Sequence, residues 1–205
     1  MDDFERMTIL LVEPHQLVRR ILRDILRVLG VGKVTAVDSI EMGYRFVTDT
    51  HVDAIFTDWS GSTDAISLLR LLRAVDSPNP FVPVVVMTAF GDREHVREAR
   101  DEGANEYMLK PFAPHTVASR LKAVSCHPRM FVKCPSFFGP DRRRHSWLDF
   151  AGPERRRATK YVDRRCQQAP FPGDDRRGTR APLPPDRLVK DAFIADHHRT
   201  WGAAE

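Results

Sequence analysis

Four positions in the first 124 residues carry side chains that together suit phosphoryl and cation chemistry: Glu13, Asp58, Thr88 and Lys110. Each directly follows a short apolar run, in the stretches Glu13-Pro14, Asp58-Trp59, Thr88-Ala89 and Lys110-Pro111. Singly, each has a structural explanation, because an Asp or Thr there can cap the next helix and Lys-Pro suits a surface turn. Jointly they offer a carboxylate pair, a hydroxyl and an ammonium. That set suits a divalent cation and a phosphoryl group, provided the fold brings the four run ends together.

The flanking pattern predicts that it does. Thr8–Val12, Val34–Val37, Ala54–Thr57, Val84–Met87 and Glu106–Leu109 read as short strands, the more apolar of them buried on both faces of a parallel sheet. Between them lie helical patterns. Leu17, Val18, Ile21, Leu22, Ile25 and Leu29 recur at helical spacing before Gly30, and Asp38-Ser39 can cap the second helix. A third helix starts near Asp64, a fourth spans Arg93 to Glu102, and a last one runs from about Pro114 through Val124. Five βα units with short connections predict an α/β, flavodoxin-like (βα)5 three-layer sandwich with a parallel five-stranded sheet of order 2-1-3-4-5. In such sheets ligands bind at the carboxyl ends of the strands, beside the switch point between the first and third.

With these motifs in place the sequence resembles the receiver domain family of two-component response regulators over about residues 7–124. The matching stretches are Val12-Glu13, Phe56-Thr-Asp58-Trp59, Val86-Met-Thr88-Ala89 and Gly103-Ala-Asn-Glu-Tyr-Met-Leu-Lys110-Pro-Phe112. The resemblance implies that Asp58 accepts a phosphoryl group from a sensor histidine kinase or a histidine phosphotransfer protein. It implies Mg²⁺ held by Glu13, Asp58 and the backbone carbonyl of Ser60, with Lys110 and Thr88 on phosphoryl oxygens. Tyr107 matches the family's aromatic switch, and the bond before Pro111 is expected to be cis. Such a module catalyses only its own phosphoryl transfer and loss, so it is not a conventional enzyme. One departure stands out: where receivers carry a second acid after the first strand, this chain has Pro14, which removes a charged oxygen and predicts weakened Mg²⁺ binding. His15 reads as a surface or helix-cap residue.

The chain has 205 residues, 15 of them proline, and a formal net charge of +4. Residues 1–124 hold 15 Lys/Arg against 18 Asp/Glu, and residues 125–205 hold 17 against 10. The acidic front and basic rear point to different roles. Residues 125–185 read as an Arg/Pro-rich, disordered tail with a repeat: Phe137-Phe-Gly139-Pro-Asp141-Arg-Arg-Arg144, then Phe150-Ala-Gly152-Pro-Glu154-Arg-Arg-Arg157, and a weaker copy over 171–177. Residues 186–205 can form a short amphipathic helix. The tail lacks the apolar periodicity of a DNA-binding output domain. The partners expected are the phosphodonor and an unidentified downstream protein. A receiver gating a nucleic-acid-binding tail, or a scaffold independent of phosphorylation, are the alternatives. Three cysteines at no zinc-like spacing and the lack of a long apolar run predict a cytoplasmic protein without a membrane span.

Overall fold

The computed structural model describes residues 4–60, 63–74, 77–134, 137–142 and 159–161. The repeat copies at 150–157 and 171–177 and the helix expected over 186–205 lie outside the described residues, as does the whole of a second unit, Asp163–Glu205.

Five strands and five helices alternate: β1 (Thr8–Val12), α1 (Gln16–Val28), β2 (Lys33–Val37), α2 (Ile40–Asp49), β3 (Ala54–Trp59), α3 (Ala65–Arg73), β4 (Val84–Thr88), α4 (Arg93–Asp101), β5 (Glu106–Leu109) and α5 (Pro114–Ser125). All pairings within this sheet are parallel and the order is β2-β1-β3-β4-β5, as the pattern predicts. Strand alternation divides the core into two layers. Leu10, Val12, Ile55, Val84 and Val86 pack with Leu68, Leu69 and Leu72 of α3. Their neighbours Ile9, Leu11, Phe56, Val85 and Met87 pack on the other face with Leu22 and Leu26 of α1 and Val117 and Leu121 of α5. A side-chain period of two gives each central strand a buried residue on both faces, which is why these strands are apolar throughout.

Two details differ from expectation. β3 runs two residues further than the pattern indicates, so Asp58 lies within it, paired with Met87, and Trp59 is paired with Thr88. On α1 the apolar stripe is wider than the buried face: Leu22 and Leu26 are buried, whereas Leu17, Ile21 and Val28 are exposed.

Part of the segment expected to be a disordered tail is structured. β6 (Phe131–Cys134), β7 (Phe137–Pro140) and β8 (Thr159–Tyr161) form an antiparallel sheet of order β7-β6-β8. Its anchors are aromatic. Phe131 and Phe138 lie edge-on to Phe81, with centroids at 5.3 and 5.5 Å, and Phe131 also covers the Arg73 guanidinium at 5.0 Å. The first repeat copy supplies β7. A Cβ on Gly139 would meet the Phe137 ring at 2.8 Å and the Gly103 Cα at 3.0 Å, so the repeat's glycine permits close backbone approach. Arg142 pairs with Asp101 at 2.9 Å and stacks over Phe137, while Arg129 pairs with Glu106 at 3.1 Å. Sequence composition reports mean polarity, and so it misses a sheet that buries a few rings against an existing domain.

Beneath this sheet lies a buried cation. The Arg73 guanidinium donates to the carbonyls of Pro80, Val82 and Gly103 and to Asn105 Oδ1, at 2.7–3.2 Å. Burial lowers its pKa to about 9, which leaves it charged at neutral pH.

Candidate functional site

The sheet order places β1 beside β3, β3 beside β4 and β4 beside β5, so the four chemically suited residues converge at the carboxyl edge. Glu13 follows β1, its amide bonded to the Val37 carbonyl, and its side chain is fully buried. Asp58 is the penultimate residue of β3 and equally inaccessible. Lys110 reaches in from beyond β5, donating from Nζ to Glu13 Oε2 at 2.5 Å and to Asp58 Oδ1 at 2.6 Å. The Lys110-Pro111 bond is cis, as expected. Two buried carboxylates thus share one ammonium, an arrangement with an excess of acceptors that favours binding a further cation.

Each carboxylate has a second oxygen with a different partner. Asp58 Oδ2 accepts from the Ser60 hydroxyl at 2.7 Å. Glu13 Oε1 accepts from the His15 amide at 3.0 Å and lies 3.1 Å from His15 Nδ1. The Ser60 carbonyl accepts from the Thr63 amide, and the Thr63 carbonyl from the Ser60 amide, closing a tight bridge after β3. Donor atoms of Glu13, His15 and Asp58 all lie within 4.8 Å of one another. The residues present therefore fit a divalent cation in both charge and spacing.

Thr88 ends β4, fully buried, and its hydroxyl accepts from the Phe90 amide at 3.1 Å. Its carbonyl accepts from the Lys110 amide at 2.7 Å, which ties the β4 and β5 ends together. Tyr107 is half-buried, and its hydroxyl donates to the Phe90 carbonyl at 2.5 Å. Burial raises the Tyr107 pKa, with Asp92 adding to the effect and Thr88 opposing it, so the phenol remains a donor. Thr88 and Tyr107 thus meet at one loop residue, Phe90. Trp59, adjacent to Asp58, packs edge-on against Phe90 and His95.

Three contributors escaped sequence reasoning. The Ser60 hydroxyl donates to Asp58 Oδ2, a contact separate from the metal-ligand role expected of the Ser60 carbonyl. Arg19 donates to the carbonyls of Glu13 and Pro14 at 2.6 and 3.1 Å, fixing the loop that carries the acid. His15 turns back onto Glu13 although its side chain is 63% exposed. The two-residue spacing from Glu13 to His15 was its available signal.

Known proteins match the same region. The model of the response regulator receiver domain matches residues 9–122. The chemotaxis protein CheY of Pseudomonas aeruginosa is 32% identical over 120 residues, covering 58% of this chain and 95% of that protein. Chemotaxis protein CheY-3 of Vibrio cholerae is 31% identical over 121 residues, covering 58% and 92%. Among solved structures, the receiver domain of the Pseudomonas aeruginosa sensor histidine kinase PA1611, which has a magnesium ion coordinated in its active-site cleft, is similar. It is 29% identical with a TM-score of 0.51, over 57% of this chain and 94% of that one. Among the described residues no helix is long and apolar enough to cross a membrane. With the sheet order, the acidic cleft and the lysine all in agreement, the chain belongs to the response regulator receiver domain family.

Proposed function

We propose that this protein accepts a phosphoryl group on Asp58 from the phosphohistidine of a histidine kinase or phosphotransfer protein, and signals through protein contacts. The observation that carries the reading is the placement of Lys110 on both Glu13 and Asp58, which sets a carboxylate nucleophile beside fixed positive charge. A carboxylate oxygen of Asp58 would attack phosphorus as the phosphorus–nitrogen bond breaks, and the donor imidazole leaves with the electron pair. A bound divalent cation, Mg²⁺ by analogy with the PA1611 receiver, would neutralise charge on the phosphoryl oxygens. Glu13, Asp58 and the Ser60 carbonyl are the ligands proposed to hold it. Pro14 contributes none, which weakens Mg²⁺ binding relative to a site with a second acid. Lys110 holds a second phosphoryl oxygen, and Thr88 a third after releasing the Phe90 amide. That release frees the Phe90 loop, whose carbonyl Tyr107 holds, so a local charge change reaches the α4–β5 surface.

Acetyl phosphate with a divalent cation tests this reading. One phosphoryl adduct by intact mass, absent from Asp58→Asn, is expected. No adduct would favour a scaffold that works without phosphorylation. The first repeat copy spends Arg142 on Asp101 and the Phe137 ring, so that arginine serves docking and not nucleic-acid phosphates.

A further inference from the structure

We propose that His15 is a metal ligand and that it shifts the preference of the acidic cleft from Mg²⁺ toward the first-row transition ion Mn²⁺. The inference rests on the reading that the cleft takes a divalent cation.

The first support is the division of the carboxylate oxygens. Lys110 takes Glu13 Oε2 and Asp58 Oδ1. The remaining oxygens, Glu13 Oε1 and Asp58 Oδ2, are those beside His15 and Ser60. A cation bound through the second pair therefore leaves the lysine in place for a phosphoryl oxygen. The second support is spacing. His15 Nδ1 and Glu13 Oε1 are hydrogen-bonded at 3.1 Å in the cation-free protein, and the same separation suits two adjacent donors on one ion when each bond is about 2.0–2.2 Å. With Asp58 the three donors stay within 4.8 Å, close to the span of a single coordination sphere.

Local backbone explains why the ring is there. Pro14 has no side-chain donor, and its carbonyl, with that of Glu13, is held by Arg19. His15 follows in an extended conformation, φ −76° and ψ 110°, as the residue before α1. Its side chain caps no helix amide, unlike Ser39, Asp64 and Asp92 at the corresponding position of α2, α3 and α4. Its ring pairs instead with the buried Glu13 carboxylate, which holds the imidazole at the mouth of the cleft.

Ligand chemistry then sets the preference. Mg²⁺ takes hard oxygen donors and sheds water reluctantly, so an imidazole adds little to its binding. Mn²⁺ accepts the same carboxylate and carbonyl oxygens, and as a transition ion that sheds water more readily it gains more from an imidazole nitrogen than Mg²⁺ does. Two carboxylates and one imidazole favour it over Mg²⁺.

The test uses the full chain at neutral pH. Mn²⁺ binding is followed by electron paramagnetic resonance of the free ion, and Mg²⁺ binding by competition. Replacing His15 with alanine is expected to weaken Mn²⁺ binding about tenfold or more, the scale on which loss of one metal-shell group acts. Mg²⁺ binding should move by less than about twofold on the same argument. His15→Asp should lower the Mn²⁺-to-Mg²⁺ preference by restoring a third carboxylate. Electron spin echo modulation should show a coordinated nitrogen in the wild type that is lost in His15→Ala. Absence of that nitrogen, or an unchanged preference in both variants, overturns the role of His15 while the cation site stands. Binding of neither ion overturns both readings.

Discussion

Replacing Phe131 with alanine removes a ring that is 2% exposed and joins the C-terminal sheet to the receiver. Burial of a phenylalanine side chain contributes about 1.5–3 kcal/mol. Each of the two ring contacts, with Phe81 at 5.3 Å and Phe138 at 5.6 Å, adds about 0.5–1.5 kcal/mol when the geometry is favourable. The Arg73 guanidinium at 5.0 Å adds about 0.5–2 kcal/mol, with desolvation favouring the upper end. These shares overlap, and the expected loss is about 3–5 kcal/mol, the usual range for a buried Phe→Ala change. The sheet is peripheral, however, so the loss is bounded by the free energy of docking itself. Once that is exhausted β6 and β7 detach and the receiver persists. Hydrogen exchange separates the two cases. Amides of β6 should lose about a hundredfold of protection or more, since 1.4 kcal/mol is a factor of ten. Amides of β1 and β3 should change far less. A tenfold or smaller loss of protection in β6 would refute the claim that Phe131 anchors the sheet.

Other expectations follow from single contacts. Gly139→Ala places a Cβ 3.0 Å from the Gly103 Cα, where backbone must yield, and should cost about 1–3 kcal/mol, seen as selective deprotection of β7. Arg73→Leu leaves the acceptors of Pro80, Val82, Gly103 and Asn105 without their shared donor, so urea unfolding should report a loss of about 3–5 kcal/mol. Lys110→Met strands Glu13 and Asp58 together, and should lower the melting temperature of the cation-free protein while increasing the rise produced by added Mn²⁺. An equal rise in wild type and variant would contradict the shared-ammonium account.

Much of this architecture was legible in the sequence because its physics is local. Apolar runs such as Thr8–Val12 and Val84–Met87 can satisfy only a strand buried on both faces. The intervening helices carry punctuation that can be read directly, such as Ser39 ahead of α2, whose hydroxyl accepts from the Met42 amide. The convergence of Glu13, Asp58, Thr88 and Lys110 was legible because strand ends in this topology must meet. What escaped depends on long-range contact. Arg73 reads as one more surface arginine until the carbonyls of Pro80, Val82 and Gly103 enclose it. Phe137-Phe-Gly139-Pro reads as a polar, turn-rich repeat until Phe81 supplies a partner ring. His15 reads as a surface or helix-cap residue until its ring is seen to pair with the buried Glu13 carboxylate.

Asp58 is the proposed phosphoacceptor, and mapping the acylphosphate tests that role most directly. After reaction with acetyl phosphate and a divalent cation, borohydride reduction converts a phosphoaspartate to homoserine, which peptide mass spectrometry locates. The account predicts homoserine at position 58 and at no other aspartate, with none in Asp58→Asn. Homoserine at another position, or an unmodified Asp58 in protein that has taken up phosphoryl groups, would contradict it.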